Sequence, residues 1–232
     1  MHYITTANEV QNITTELWTS APSAKIMLQV LSQSGDPQTL LPYEHHFRFF
    51  ATSCARRTSY LLTDTRSRIA IQTAELFANG RASGYALHKA YLNAKAAILE
   101  QAKHYNRYSP PAAQQSHPTG VNEEIIYGAA VLHAAAAAAT CCFAQQAQTP
   151  LGLAAACAKY ATKALYWEQV SLGADSILIA QLIEDEEHRQ AHALRIFIGN
   201  PFAPLTFPPM TLHSSNSLSQ QGSCTQQFVN AA

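Results

Sequence analysis

The chain has 232 residues, enough for one domain with a substantial buried core. Lys and Arg number 15 and Asp and Glu 15, so the formal net charge is zero, which argues against binding nucleic acid through overall charge. Glycine is sparse at 9 and alanine abundant, a balance that favours helix because alanine loses no side-chain entropy there.

Helix signals follow one another along the chain, and strand signals do not occur. Ser23 can cap a segment ending at Gly35, with Ile26, Val30 and Leu31 on one face. Pro42 opens a longer helix through about Leu62, where Phe47, Phe50, Ala51, Cys54, Thr58 and Leu61 recur at spacings of three and four. Thr63 and Asp64 end it and cap the next helix. There Ile69, Ala70, Thr73, Leu76 and Phe77 form the predicted stripe, and Asn79-Gly80 supplies a left-handed stop. Ser83 starts a helix to about Tyr105, with Leu87, Tyr91, Ala94, Ile98, Ala102 and Tyr105 aligned.

Residues 109–120 carry Pro110, Pro111 and Pro118 and read as a hinge. Asn122 then caps an alanine-rich helix to about Gln146. Thr149-Pro150 opens another to about Gln169, and Gly173 with Asp175 starts the last, which stops at Gly199-Asn200-Pro201. The pattern predicts an all-α, multi-helix bundle over about 14–200, in two packed sub-bundles, about 14–107 and 121–200, joined at 109–120. Ile125 to Ala144 is twenty residues without a formal charge, the length of a spanning helix. Its alanines are only weakly apolar, His133 interrupts it and flanking basic residues are missing, so a buried core helix is the expectation and no membrane contact is predicted.

Five cysteines (Cys54, Cys141, Cys142, Cys157, Cys224) show neither a CxxC pair nor a zinc spacing. With no basic and apolar leader in MHYITTANEVQN, they point to a reducing cytoplasm. Charge is unevenly placed: residues 41–110 carry ten Lys/Arg against four Asp/Glu, and residues 121–199 four against eight. Complementary helices packed on one another account for that, and a basic binding face is the alternative.

Two stretches carry a resemblance. The first is Phe47 to Gly80, FRFFATSCARRTSYLLTDTRSRIAIQTAELFANG, through Arg48, Phe50, Ala51, Cys54, Arg56, Arg57, Leu61 to Asp64, Arg66 to Arg68, Ala74, Glu75 and Gly80. The second is Gln190 to Phe202, QAHALRIFIGNPF. Together they cover about a fifth of the chain and resemble an uncharacterised bacterial all-helical family with C-x-R-R…L-L-T-D-x-R-S-R and L-R-x-x-x-G-N-P-F signatures. The resemblance implies a helical fold and supplies no chemistry. The family pattern continues after Pro204 with an apolar segment, whereas this chain has the polar LTFPPMTLHSSNSLSQQGSCTQQFVNAA. Two readings of 203–232 stay open: a disordered terminus, or an out-of-frame tail, because one codon set for Ser214 to Ser219 shifted by one base reads V-V-I-A-L. The nucleotide sequence decides between them.

Arg57 falls on or beside the apolar stripe while Arg56 points away. An arginine there requires a partner, and Asp64 and Glu75 are the nearest carboxylates, which gives a structural ion pair. The alternative is an anion pocket of Arg57, Arg66 and Arg68 beside the helix start after Asp64. Glu184, Asp185, His188 and His192 carry the spacing of a metal-ligating helix. No second copy of that element exists, and His188 lies opposite the face marked by Ile179, Ile183, Gln190, Leu194 and Ile198, so a solvated charged face is expected. His45 and His46 open a helix beside Tyr43 and Glu44 and read as an exposed first turn.

Nucleophile elbows, phosphate loops and zinc motifs are missing. No cofactor is predicted, and the leading expectation is a non-enzymatic module that binds a protein partner or forms a homo-oligomer. A metal-dependent helical-bundle enzyme is one alternative. Nucleic-acid or anion binding through the basic 41–110 half is another, with nucleic acid the less favoured.

Overall fold

A computed structural model of the protein describes residues 15–34, 40, 42–106, 123–143 and 149–202. The expected hinge at 109–120, the Asn122 cap, the helix end near Gln146 and the tail at 203–232 lie outside the described residues. Among the described residues the chain is helical without a strand. Helical residues 15–20 belong to α1. They are followed by α2 (Ala24–Ser34), α3 (Glu44–Arg57), a 3-10 turn (Ser59–Leu61), α4 (Thr65–Ala78), α5 (Gly84–Asn106), α6 (Glu123–Cys141), α7 (Pro150–Ser171) and α8 (Ser176–Ile198).

The caps lie where local chemistry places them. Asp64 accepts from the Arg66 amide, Thr149 from Gly152, and Asp175 from Leu178. Ser83 accepts from Ala86 in the same way. Each carboxylate or hydroxyl satisfies a first-turn N–H that has no carbonyl partner inside its helix. At the end of α4, Gly80 has φ 68°, and the Arg81 amide donates to the Leu76 carbonyl at 2.7 Å. Gly173, with φ 70°, closes α7 similarly. A side chain at either φ would be strained.

Two expectations change in detail. The helix predicted from Pro42 to Leu62 divides at Thr58, whose hydroxyl donates back to the Ala55 carbonyl, and a 3-10 turn then carries Leu61 and Leu62 into the core. In α4 the buried face is Ser67, Ala70, Ile71, Ala74 and Ala78, and Ile69 and Leu76 are exposed. The helix is rotated from the predicted stripe. Its small face lies inward, which brings α4 close to α3, α5 and α6.

Two apolar clusters form the interior. One gathers Ala51, Ala55, Leu61, Leu62 and Ile71 with side chains of α5, α6 and α7. The other joins Trp18, Met27, Leu28, Leu31, Phe47 and Phe50 to Ala154, Ala158, Ala161 and Leu194. Helices α3 and α7 contribute to both and act as a shared wall, so each packed group of helices draws on both sides of residues 107–122.

Helix α6 packs most extensively against α7 and also touches α3, α4 and α5. It is long and apolar enough to cross a membrane, and half of its apolar window is buried within the bundle. A Cβ on Gly128 would meet the Tyr105 ring at 2.4 Å, so the α5–α6 approach requires glycine there.

Candidate functional site: a hairpin tip beyond a buried ion pair

The charged residues singled out in the sequence are each committed to a separate contact. Arg56 makes a two-pronged bond to Glu75, at 2.7 and 2.6 Å. Arg66 binds Asp64 and Glu100, and the Arg66 guanidinium holds the Asp64 carboxyl below the usual carboxylate range. Arg68 donates to the Leu62 carbonyl. Arg57, Arg66 and Arg68 therefore do not converge on one anion pocket.

The partner of Arg57 is neither Asp64 nor Glu75, the carboxylates nearest in sequence. It is Glu186 on α8, 129 residues away, at 3.0 Å. Glu186 is 1% exposed, although its sequence neighbourhood reads as a solvated face. Its Oε1 also accepts from the Gln190 amide at 2.8 Å, while Oε2 is buried without a protein partner. Gln190 in turn donates to Thr162 and to the Ala158 carbonyl. The network ties α8 to α3 and α7.

Arg48, unlike Arg57, is a fully buried cation, and sequence reasoning did not single it out. It is 2% exposed, donates to the Cys141 carbonyl at 2.6 Å, and lies over the Phe77 ring at 5.1 Å. A guanidinium at the carbonyl end of α6 satisfies an end group and complements the helix dipole. Two signals were available: Glu44 one helical turn earlier, which pairs with it, and its place between Phe47 and Ala51 on the inward side.

The cysteines behave as small apolar residues. Cys54, Cys141, Cys142 and Cys157 are free and buried. Burial pushes the Cys54 thiol up to about 12 and raises Cys141 and Cys157 well above the ordinary range, so thiolate chemistry is suppressed.

Glu184, Asp185, His188 and His192 are exposed on α8, with the His188 Nδ1 2.8 Å from the Glu184 carbonyl. Among the described residues no three His, Cys, Asp or Glu side chains gather into a group that could hold a metal ion. His45 and His46 are exposed at the start of α3, and the His45 ring stacks on Phe77 at 6.2 Å.

The second signature stretch serves the fold. Leu194 is buried, and Arg195 donates to the Trp18 and Ala21 carbonyls. The Gly199 carbonyl accepts from the Trp18 indole at 2.8 Å, Asn200 accepts from the Phe202 amide, and Phe202 meets Trp18 edge to face. The motif fastens α1 to the end of α8.

What the fold leaves uncovered is the opposite end of α8. Glu186 is the first buried residue of that helix. The ten residues before it, SILIAQLIED, include six apolar side chains and bury none. Ile177 is 71% exposed and Leu178 44%, and Leu172 in the preceding turn is 71% exposed. Tyr166 on α7 is exposed as well. Residues 164–188 carry six carboxylates and neither Lys nor Arg, so the tip is apolar and rimmed by acid. At its edge the Tyr60 hydroxyl donates to Glu168, and burial with that bond raises the Tyr60 phenol.

Comparison with protein-family models, curated proteins and solved structures finds no match to this chain.

Proposed function

We propose that the protein is a self-associating helical module in which the α7–α8 tip of one copy docks on the outer face of α5 of a second. The observation that carries the reading is the unburied first half of α8, because soluble chains seldom leave a contiguous apolar face in water without a partner for it. Charge complementarity selects the occupant. On α5, Tyr85, Leu92 and Leu99 repeat every seven residues and are exposed, with Lys89, Lys95 and Lys103 among them. A basic, apolar helical stripe matches an acidic, apolar tip.

A symmetric tip-to-tip pairing is disfavoured. Antiparallel α8 helices crossing at Ala180 would set Asp175 against Asp185 of the second copy, which is like charge against like. The tip-to-α5 contact joins two different patches, so it adds copies head to tail. An interface of this small extent belongs to the weak, transient class.

Sedimentation velocity over a range of concentrations tests the reading. Wild type is expected to shift to larger species as concentration rises, and added salt is expected to reverse the shift. Ile177→Glu/Leu178→Glu and Leu92→Glu/Leu99→Glu are each expected to stay monomeric. Mixed together, the two variants should form a dimer through the one intact pair of faces. A wild-type chain that remains monomeric throughout, or a mixture that does not associate, overturns the proposal.

A further inference from the structure

A cavity of about 730 Å3 lies between α2, the first half of α7 and the middle of α8, within the roughly 300–1,000 Å3 of small-molecule sites. It is separate from the hairpin tip. Its apolar lining is aliphatic and small: Leu28 and Ala158 are buried at its base, with Leu151, Gly152 and Ala155 nearer the opening. Among the described residues no aromatic side chain lines it, so none of them would stack a base or an aryl ring.

The rim is cationic. Lys159 and Lys163 stand one turn apart on α7, and Lys25 faces them from α2, against one carboxylate among the described lining residues, Glu187. The first turn of α7, with its Thr149 cap, also lines the cavity. Gln190, 3% exposed, lines the inner wall and is held by its bonds to Glu186, Thr162 and Ala158. That wall belongs to the buried network, so it does not need to be ordered by the ligand.

We propose that this cavity binds an amphiphilic anion, with an aliphatic chain lying on the α7 floor and a carboxylate or phosphate head among Lys25, Lys159 and Lys163. Apolar floor and cationic rim each recognise one half of such a molecule, and neither half alone satisfies the site.

Calorimetric titration of the full chain with decyl phosphate, decanoate, decanol and inorganic phosphate tests the inference. Both decyl anions are expected to bind saturably at one site, with decanol at least about tenfold weaker and inorganic phosphate weaker still. The relative strength of phosphate and carboxylate distinguishes the two head groups. Lys159→Gln/Lys163→Gln should lose about tenfold in affinity for both anions, with an unchanged thermal melt as the control for folding. Ala155→Phe, which sets a bulky ring into the apolar lining, should abolish binding while the rim charge stays intact.

Equal affinity for decanol, unchanged binding in the lysine variant, or no saturable binding would each overturn the proposal. So would loss of binding in Ile177→Glu/Leu178→Glu, because that places the amphiphile on the hairpin tip. The outcome is independent of self-association, which the sedimentation experiment reads by itself.

Discussion

Among single residues, the buried carboxylate of Glu186 has the largest leverage. Arg57 is 26% exposed and Glu186 1%, so the pair is half in water on one side and wholly desolvated on the other. Breaking such a pair strands the buried charge, which costs more than the pair itself contributes. Arg57→Met is therefore expected to destabilise the fold by about 3 kcal/mol in urea unfolding. Arg57→Met/Glu186→Leu should recover most of that loss. A double variant as unstable as the single one would show that the pair contributes net stability.

The placement of Arg57 beside the stripe was legible, because it depends only on helical spacing. Its partner was not: a helix period says nothing about which of fifteen carboxylates folds back from 129 residues away.

His133 makes a pH prediction at the same scale. It is half-buried on α6 beside Tyr160, and burial, with the charge of Lys163, lowers its pKa from the ordinary 6.5. The unfolded chain then binds more protons than the folded one between the two values. Stability is complete above about 6.5 and declines as pH falls from there toward the lowered folded value. His133→Gln should flatten that decline when urea midpoints are compared on either side of pH 6.5.

At the scale of elements, capping is where sequence and structure agree best. Asp64, Ser83, Thr149 and Asp175 bond within three residues of themselves, so their roles need no knowledge of the rest of the fold. The stripe of α3 is equally clear because large Phe side chains alternate with polar ones. The register of α4 was harder to read. Its inward face is made of alanines, one serine and one isoleucine, while its outward face keeps Ile69 and Leu76, so hydrophobicity alone points to the wrong side. Close packing decides it, since a small face lets three neighbouring helices approach.

Helix α6 shows the same effect more strongly: nearly every side is apolar, and no stripe can be drawn. Its orientation rests on contacts such as Gly128 against Tyr105. Gly128→Ala should cost about 1–3 kcal/mol through overpacking, seen as a lowered melting temperature. Tyr105→Leu in the same chain should relieve it. A neutral Gly128→Ala would mean that α5 can shift away without loss.

For the whole molecule, α3 and α7 stand between two apolar clusters, and every other described helix joins one or both. The signature residues are the fastenings of this arrangement. Arg56 ties α3 to α4, Arg57 ties α3 to α8, Arg66 ties α4 to α5 and Arg68 holds the end of the 3-10 turn, while Arg195 and the Gly199-Asn200 corner pin α1 to α8. Their chemistry is thus consumed by the fold. The surfaces with capacity to spare are the α7–α8 tip, the α5 stripe and the α2–α7–α8 cavity, and of the signature stretches only Gln190, at the cavity's inner wall, touches them.

The helical class of this chain, the places where most helices begin and end, and the inward faces of α3 and α5 are readable from the residues alone. Those features come from hydrogen bonds and side-chain spacings spanning a few residues, so a linear reading contains them. Packing in three dimensions buries Glu186 against Arg57, sets Arg48 at the end of α6, leaves Ile177 and Leu178 exposed, and brings three lysines to the rim of one cavity. Each of these depends on distances between segments far apart in the chain, where Coulomb energy, desolvation and close packing act on proximity in space.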